Sequence, residues 1–144
     1  MRLRLLRAFL LTAGFGWAIS VYGVFAPWPA AAAQLQGLGA GAIPDDPMLD
    51  YWLRMAAGAF TGIGLFFFAL AWNPTRFAAV IPLAGLFLIA EGLILLVHGL
   101  RLGLEPLPFY VDVGFCLATG EGIWLLRPCA GKWDLGSVVT DHAH

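Results

Sequence analysis

The chain has 144 residues, 60% hydrophobic and only 12% charged, with a formal net charge of -1 and a mean hydropathy of +0.82. A composition this apolar excludes an ordinary water-soluble domain, and the lack of a dense Lys/Arg block excludes a nucleic-acid surface, whose phosphates call for clustered cations. Cys116 and Cys129 lack C-x-x-C spacing, and Cys116 lies in an apolar run where a thiol behaves as a small hydrophobe, which argues against a disulfide oxidoreductase or a zinc site.

A membrane-crossing helix needs about 20 predominantly apolar residues. Four stretches qualify: Ala8 to Ala26, Tyr51 to Trp72, Ala78 to Leu100 and Phe109 to Leu126. Prolines punctuate them: Pro27 and Pro29 after the first, Asn73-Pro74 after the second, Pro106 and Pro108 before the fourth, Pro128 after it. Trp28, Trp52, Trp72, Trp124, Tyr51 and Tyr110 fall near the ends, where amphipathic rings favour the headgroup layer. The expected fold is therefore all-α, a single membrane domain built as a bundle of four transmembrane helices, with the lipid bilayer as its solvent.

Arg2, Arg4 and Arg7 precede the first span, Arg76 lies between the second and third, and Arg127 and Lys132 follow the fourth, so an even number of crossings gathers them on one side. The positive-inside bias makes that side cytoplasmic, with both termini and the tail 127–144 there. The outer side receives Asp45, Asp46, Asp50 and Glu105, with only Arg54 and Arg101 as positive residues near its membrane boundary. The basic start, the apolar run and Ala31-Ala32-Ala33 resemble a cleavable signal, but Ala8 to Ala26 is longer than a typical h-region, which favours a retained helix. In the outer loop 27–50, the stretch Ala30 to Leu38 is a candidate interfacial helix. In the tail, Asp141, His142 and His144 offer metal-ligating groups, although a solvated tail is the simpler reading, and no metal is expected.

Each span carries a small residue, one intervening residue and a glycine: Gly14 and Gly16, Gly62 and Gly64, Ala90 and Gly92, Gly120 and Gly122. Small residues let helices approach closely in lipid, which makes these glycines candidate packing positions. Laying Thr61-Gly62-Ile63-Gly64 over Thr119-Gly120-Glu121-Gly122 sets Arg54 on Asp112, two residues of opposite charge on helices that run in the same direction. An ion pair between helices two and four is expected, with separate snorkelling of the two charges as the alternative.

Glu91 and Glu121 lie well inside the third and fourth spans, where an acidic side chain costs about 2.5–3.5 kcal/mol on insertion scales. They are equally distant from Pro106 and are expected at comparable depth, sharing a proton or a small cation, or else bonding to neighbouring carbonyls as a packing device. His98 follows Glu91 by seven residues on the same helical face, with Arg101 one turn beyond, and makes a polar path inward. Asp112 and Glu121, nine residues apart, project to opposite sides of the fourth helix. No catalytic motif and no cofactor is indicated; a haem held by two histidines is disfavoured because only one histidine lies near the membrane.

Tyr51-Trp52-Leu53-Arg54-Met55, Gly62-Ile63-Gly64, Asn73-Pro74-Thr75-Arg76-Phe77 and the Glu-Gly strings, in a chain of this size and layout, resemble the small four-helix bacterial membrane proteins of the DoxX-like group, many without assigned activity. The resemblance implies a bacterial inner-membrane location and raises a quinone or a larger redox complex as a partner; it transfers no catalytic residue. Three function classes follow: a structural or accessory subunit packing in the membrane as a homo-oligomer or within a larger complex, a small transporter or proton-handling protein using Glu91 and Glu121, and a quinone-binding or redox-associated protein. Cysteine labels placed after Arg7, Asp46, Arg76, Glu105 and Lys132 should react from alternating sides; labelling at Lys132 and Glu105 from the same side would overturn the topology.

Overall fold

The computed structural model describes residues 1–127 and contains six helices. They are α1 (Arg2–Ala18), α2 (Val21–Phe25), α3 (Trp28–Gly37), α4 (Pro47–Trp72), α5 (Ile81–Leu102) and α6 (Pro106–Leu126). The α1–α2 segment and each of α4, α5 and α6 are long and apolar enough to cross a membrane, so the chain is an all-α bundle with four such helices and, among the described residues, no strand. The tail residues Cys129, Lys132, Asp141, His142 and His144 lie outside the described residues.

Local chemistry sets the ends of these helices. The first crossing bends at Ile19-Ser20, where Ser20, Tyr22 and Gly23 donate to carbonyls three residues back rather than four. Ala26 is extended before Pro27, as sterics before proline demand, and Pro29 sits in the first turn of α3. Helix α4 begins four residues before the expected Tyr51 because Asp46 caps it, its carboxylate accepting from Met48 N–H at 2.7 Å, with Pro47 in the first turn. Helix α5 begins at Ile81 rather than Ala78. The Asn73 side chain accepts from Thr75 Oγ1 and Arg76 N–H and starts a run of turns that carries the chain to Val80. Helices α3 and α5 both end in Schellman motifs: Ala40 N–H donates to the Leu35 carbonyl and Leu104 N–H to that of Gly99, with Gly39 at φ +97° and Gly103 at φ +61°.

The helices form two antiparallel pairs, α1/α2 on α4 and α5 on α6, joined where α1 meets α6. Within each pair the backbones approach at glycine. A Cβ built on Gly64 would stand 2.5 Å from the Ala18 backbone nitrogen, and one on Gly120 would stand 2.9 Å from Ile89 N and 3.0 Å from the Gly85 oxygen. Gly14 lies against Phe68, Gly16 against Phe115, Gly92 against Leu117 and Cys116, and Gly122 against Phe9. Gly62 has nothing against it and belongs to the outer surface of α4.

The buried core consists of Leu6, Leu10 and Ala13 from α1, Phe67, Leu70 and Ala71 from α4, Ile81, Ala84 and Leu88 from α5, and Ile123 from α6. All belong to the half of the bundle nearest Arg2, Arg4, Arg7, Arg76 and Arg127, termed the basic side; the end carrying α3 and Glu105 is the acidic side. The bundle is closed at the basic side and splayed at the other. The glycine contacts predict a contrast. Gly120→Val and Gly64→Val should each lower unfolding stability in detergent by about 1–3 kcal/mol, because backbone cannot yield as a flexible side chain can. Gly62→Ala should be neutral or stabilise by up to about 1 kcal/mol.

Candidate functional site

Where the two pairs splay, α3 lies between them and divides the opening. On the α1/α4 side is a cavity of about 630 Å³ lined by Tyr22, Leu53, Ala57 and Phe60 among others. On the α5/α6 side is one of about 470 Å³, walled by Ile94, Leu95 and Phe109, with His98, Glu105 and Asp112 supplying its polar atoms. Leu35 of α3 and Leu38, the residue that caps its C-terminus, line both. Sequence reasoning marked α3 only as an interfacial helix and so missed it as the shared wall. The available signal was Leu35 and Leu38 set among Ala, Gln and Gly.

Arg54 and Asp112 are not paired. Arg54 Nη2 lies 2.8 Å from Asp50 Oδ1, and Nε donates to the same oxygen at 3.0 Å. Nη1 donates to the carbonyls of Gly23 at 3.0 Å, Val24 at 3.2 Å and Ala26. These carbonyls end α2 and have no helical partners beyond it, so the guanidinium caps α2 and pins it to α4. A carboxylate one turn away and three local carbonyls satisfy Arg54, leaving Asp112 on α6 to face the smaller cavity beside His98. Thr61 and Thr119 donate to carbonyls one turn earlier on their own helices.

The two intramembrane glutamates are set apart. Gly92 faces Leu117 and Gly120 faces Ile89, a register that makes Glu91 level with Ala118 and puts Glu121 three residues, about 4.5 Å, nearer the basic side. Glu91 is half-buried, on the flank of the inward arc that buried Leu88 and Gly92 mark on α5, one turn nearer the basic side than Ile94 and Leu95 of the smaller cavity. Glu121 is exposed: Gly120 faces α5, Gly122 faces α1, and buried Cys116, Thr119 and Ile123 mark the inward arc, with Glu121 on the arc opposite. Gly114 and Ala118 share that outer arc and are exposed, Gly114 with nothing against it. Glu121 lies one turn inside the point where the Arg127 guanidinium stacks 3.6 Å from the Trp124 ring centroid.

The Trp17 ring meets Phe60 edge-on at 5.1 Å and Phe87 at 6.5 Å, and among the described residues its buried indole N–H has no partner. Among the described residues no group of three or more His, Cys, Asp or Glu is placed to hold a metal ion. No family model, curated protein or solved structure matches the chain.

The Arg54 geometry gives a direct test by double-mutant cycles. Arg54→Ala should cost about 1.5–3 kcal/mol of stability through its charged hydrogen bonds. It should be non-additive with Asp50→Ala by about 0.2–1 kcal/mol and additive with Asp112→Ala within about 0.5 kcal/mol.

Proposed function

We propose that the protein is an accessory subunit of a bacterial inner membrane, inserted with its basic side and both termini in the cytoplasm, that binds a different membrane protein through the outer face of α6. The observation that carries this reading is the position of Glu121: exposed, inside a span of apolar residues, and next to Gly114 and Ala118. A carboxyl group left against lipid inside a span is costly, up to about 2.5–3.5 kcal/mol at the centre and less toward the ends, and a partner helix that donates a hydrogen bond or offers a cation removes that cost. The small residues let such a helix come close enough to do so.

A second copy of this chain fits the α6 face poorly. In a pair of α6 helices related by a two-fold axis along the membrane normal the two Glu121 carboxylates would lie at the same depth, and close together wherever Glu121 faces the axis. Face α4, with Gly58 and Gly62 open and no charge between Met55 and Trp72, supplies a second small-residue surface for association. The distribution of arginines supports the orientation, and the four-helix layout agrees in general shape with the DoxX-like group, to which we assign the chain as part of the same reading.

Two measurements test the α6 face together. A photoreactive residue at Ala118 should give one adduct in native membranes whose mass differs from that of a self-dimer, and Gly114→Leu should abolish it. Glu121→Leu should leave the isolated protein at least as stable as wild type, yet reduce its steady-state level in native membranes several-fold, as for a subunit without its partner. Adducts to lipid alone, with an unchanged Glu121→Leu level, would overturn the proposal.

A further inference from the structure

We propose that the cavity between α3, α5 and α6 is a binding site for amphiphilic organic cations, molecules with a bulky apolar body and a single ammonium- or phosphonium-type charge. Three observations converge on that class. The first is size and lining: about 470 Å³, with walls of Leu35, Leu38, Ile94, Leu95 and Phe109, matches an apolar small-molecule pocket, and such pockets commonly measure about 300–1,000 Å³.

The second is the sign of its charge. Among the described residues, the ionisable side chains lining it are Glu105, Asp112 and His98, with no Lys or Arg. Arg54, the cation nearest in sequence position to the acidic side of α4, is consumed by Asp50 and the end of α2. Arg101 is exposed at the end of α5 and is absent from the lining. An anion would therefore meet two carboxylates, and a neutral acyl chain would pair with neither.

The third is that the polar groups are uncommitted. Among the described residues, no side-chain hydrogen bond or ion pair uses His98, Glu105 or Asp112. Asp112, His98 and Glu105 are exposed at the open side of the cavity, with the apolar walls of Ile94, Leu95 and Phe109 beside them, so a bound cation would set its charge at the mouth and its apolar body inside. A small hydrated ion gains little there, since apolar walls cannot replace its water shell; a lipophilic cation carries little hydration to lose and fills the space as well. The site is independent of the outer face of α6, because Asp112 and Glu121 lie on opposite arcs of that helix.

The test uses tetraphenylphosphonium and its charge-reversed isostere tetraphenylborate, with the full chain reconstituted in phosphatidylcholine nanodiscs and empty discs as the partition control. Tetraphenylphosphonium should bind saturably, one per chain, beyond its partition into empty discs, and tetraphenylborate should not. Asp112→Asn should weaken phosphonium binding at least tenfold, and Asp45→Asn, at an exposed position on the same side of the bundle and outside the lining, should leave it unchanged. Leu38→Trp, at the half-exposed C-cap of α3, should weaken it by filling the cavity, and this variant keeps the test decisive if Asp112→Asn fails to fold. Equal binding of the two isosteres, uptake no greater than in empty discs, or phosphonium affinity unaltered in a folded Asp112→Asn or Leu38→Trp protein would overturn the proposal.

Discussion

Direct backbone contact between α5 and α6 at Gly85 and Gly120 governs much of the rest of the molecule. A Cβ on either glycine would stand 3.0–3.1 Å from the carbonyl oxygen of the other, and one on Gly120 also 2.9 Å from Ile89 N, so a side chain at Gly120 would force the helices to shift and one at Gly85 would need its neighbours to give. In lipid there is little hydrophobic drive to bring helices together, and dispersion contact, which decays steeply with distance, has to hold them. The closest approach therefore fixes the register. That register sets Gly92 against Leu117 and Cys116, and Gly99 against Phe109. It also turns His98 and Asp112 toward one cavity while directing Glu121 outward.

The packing is uneven along the bundle. At the basic side, the large side chains Leu6, Leu10, Phe67, Leu70, Ile81, Leu88 and Ile123 are all within about 1% of full burial and come from four helices. Toward the other side the buried residues serve single pairs, such as Val113 and Cys116 within α5/α6 or Ala57 beneath α2, and no common core joins them. Arg54 compensates on one flank by holding the end of α2 to α4 through hydrogen bonds that do not depend on packing.

Much of this architecture was legible in the residues. Apolar length and proline punctuation were enough to count the crossings, because both report what a bilayer requires of a backbone. The bend at Ile19-Ser20 was not legible: no Pro or Gly marks it, and it arises from a switch in hydrogen-bond spacing. The pairing of Arg54 with Asp112 rested on aligned depth across helices, whereas Asp50 was four residues away on the same face and the remaining acceptors are carbonyls, which every residue carries. The glutamates were assigned one depth from equal distances to Pro106. That inference assumed a symmetric exit from the connection, but α5 leaves through a left-handed Gly103 and α6 begins across an extended Leu107 at φ -111° and ψ 130°. The cavity itself had no linear signature, since its walls come from three separated segments.

Helix α3 separates two spaces with one set of side chains. Leu35 and Leu38 face both the larger cavity against α4 and the smaller one against α5 and α6. Because the wall is shared, a displacement of Leu35 and Leu38 that enlarges one space takes volume from the other, and molecules filling both at once would contend for the position of the same two side chains.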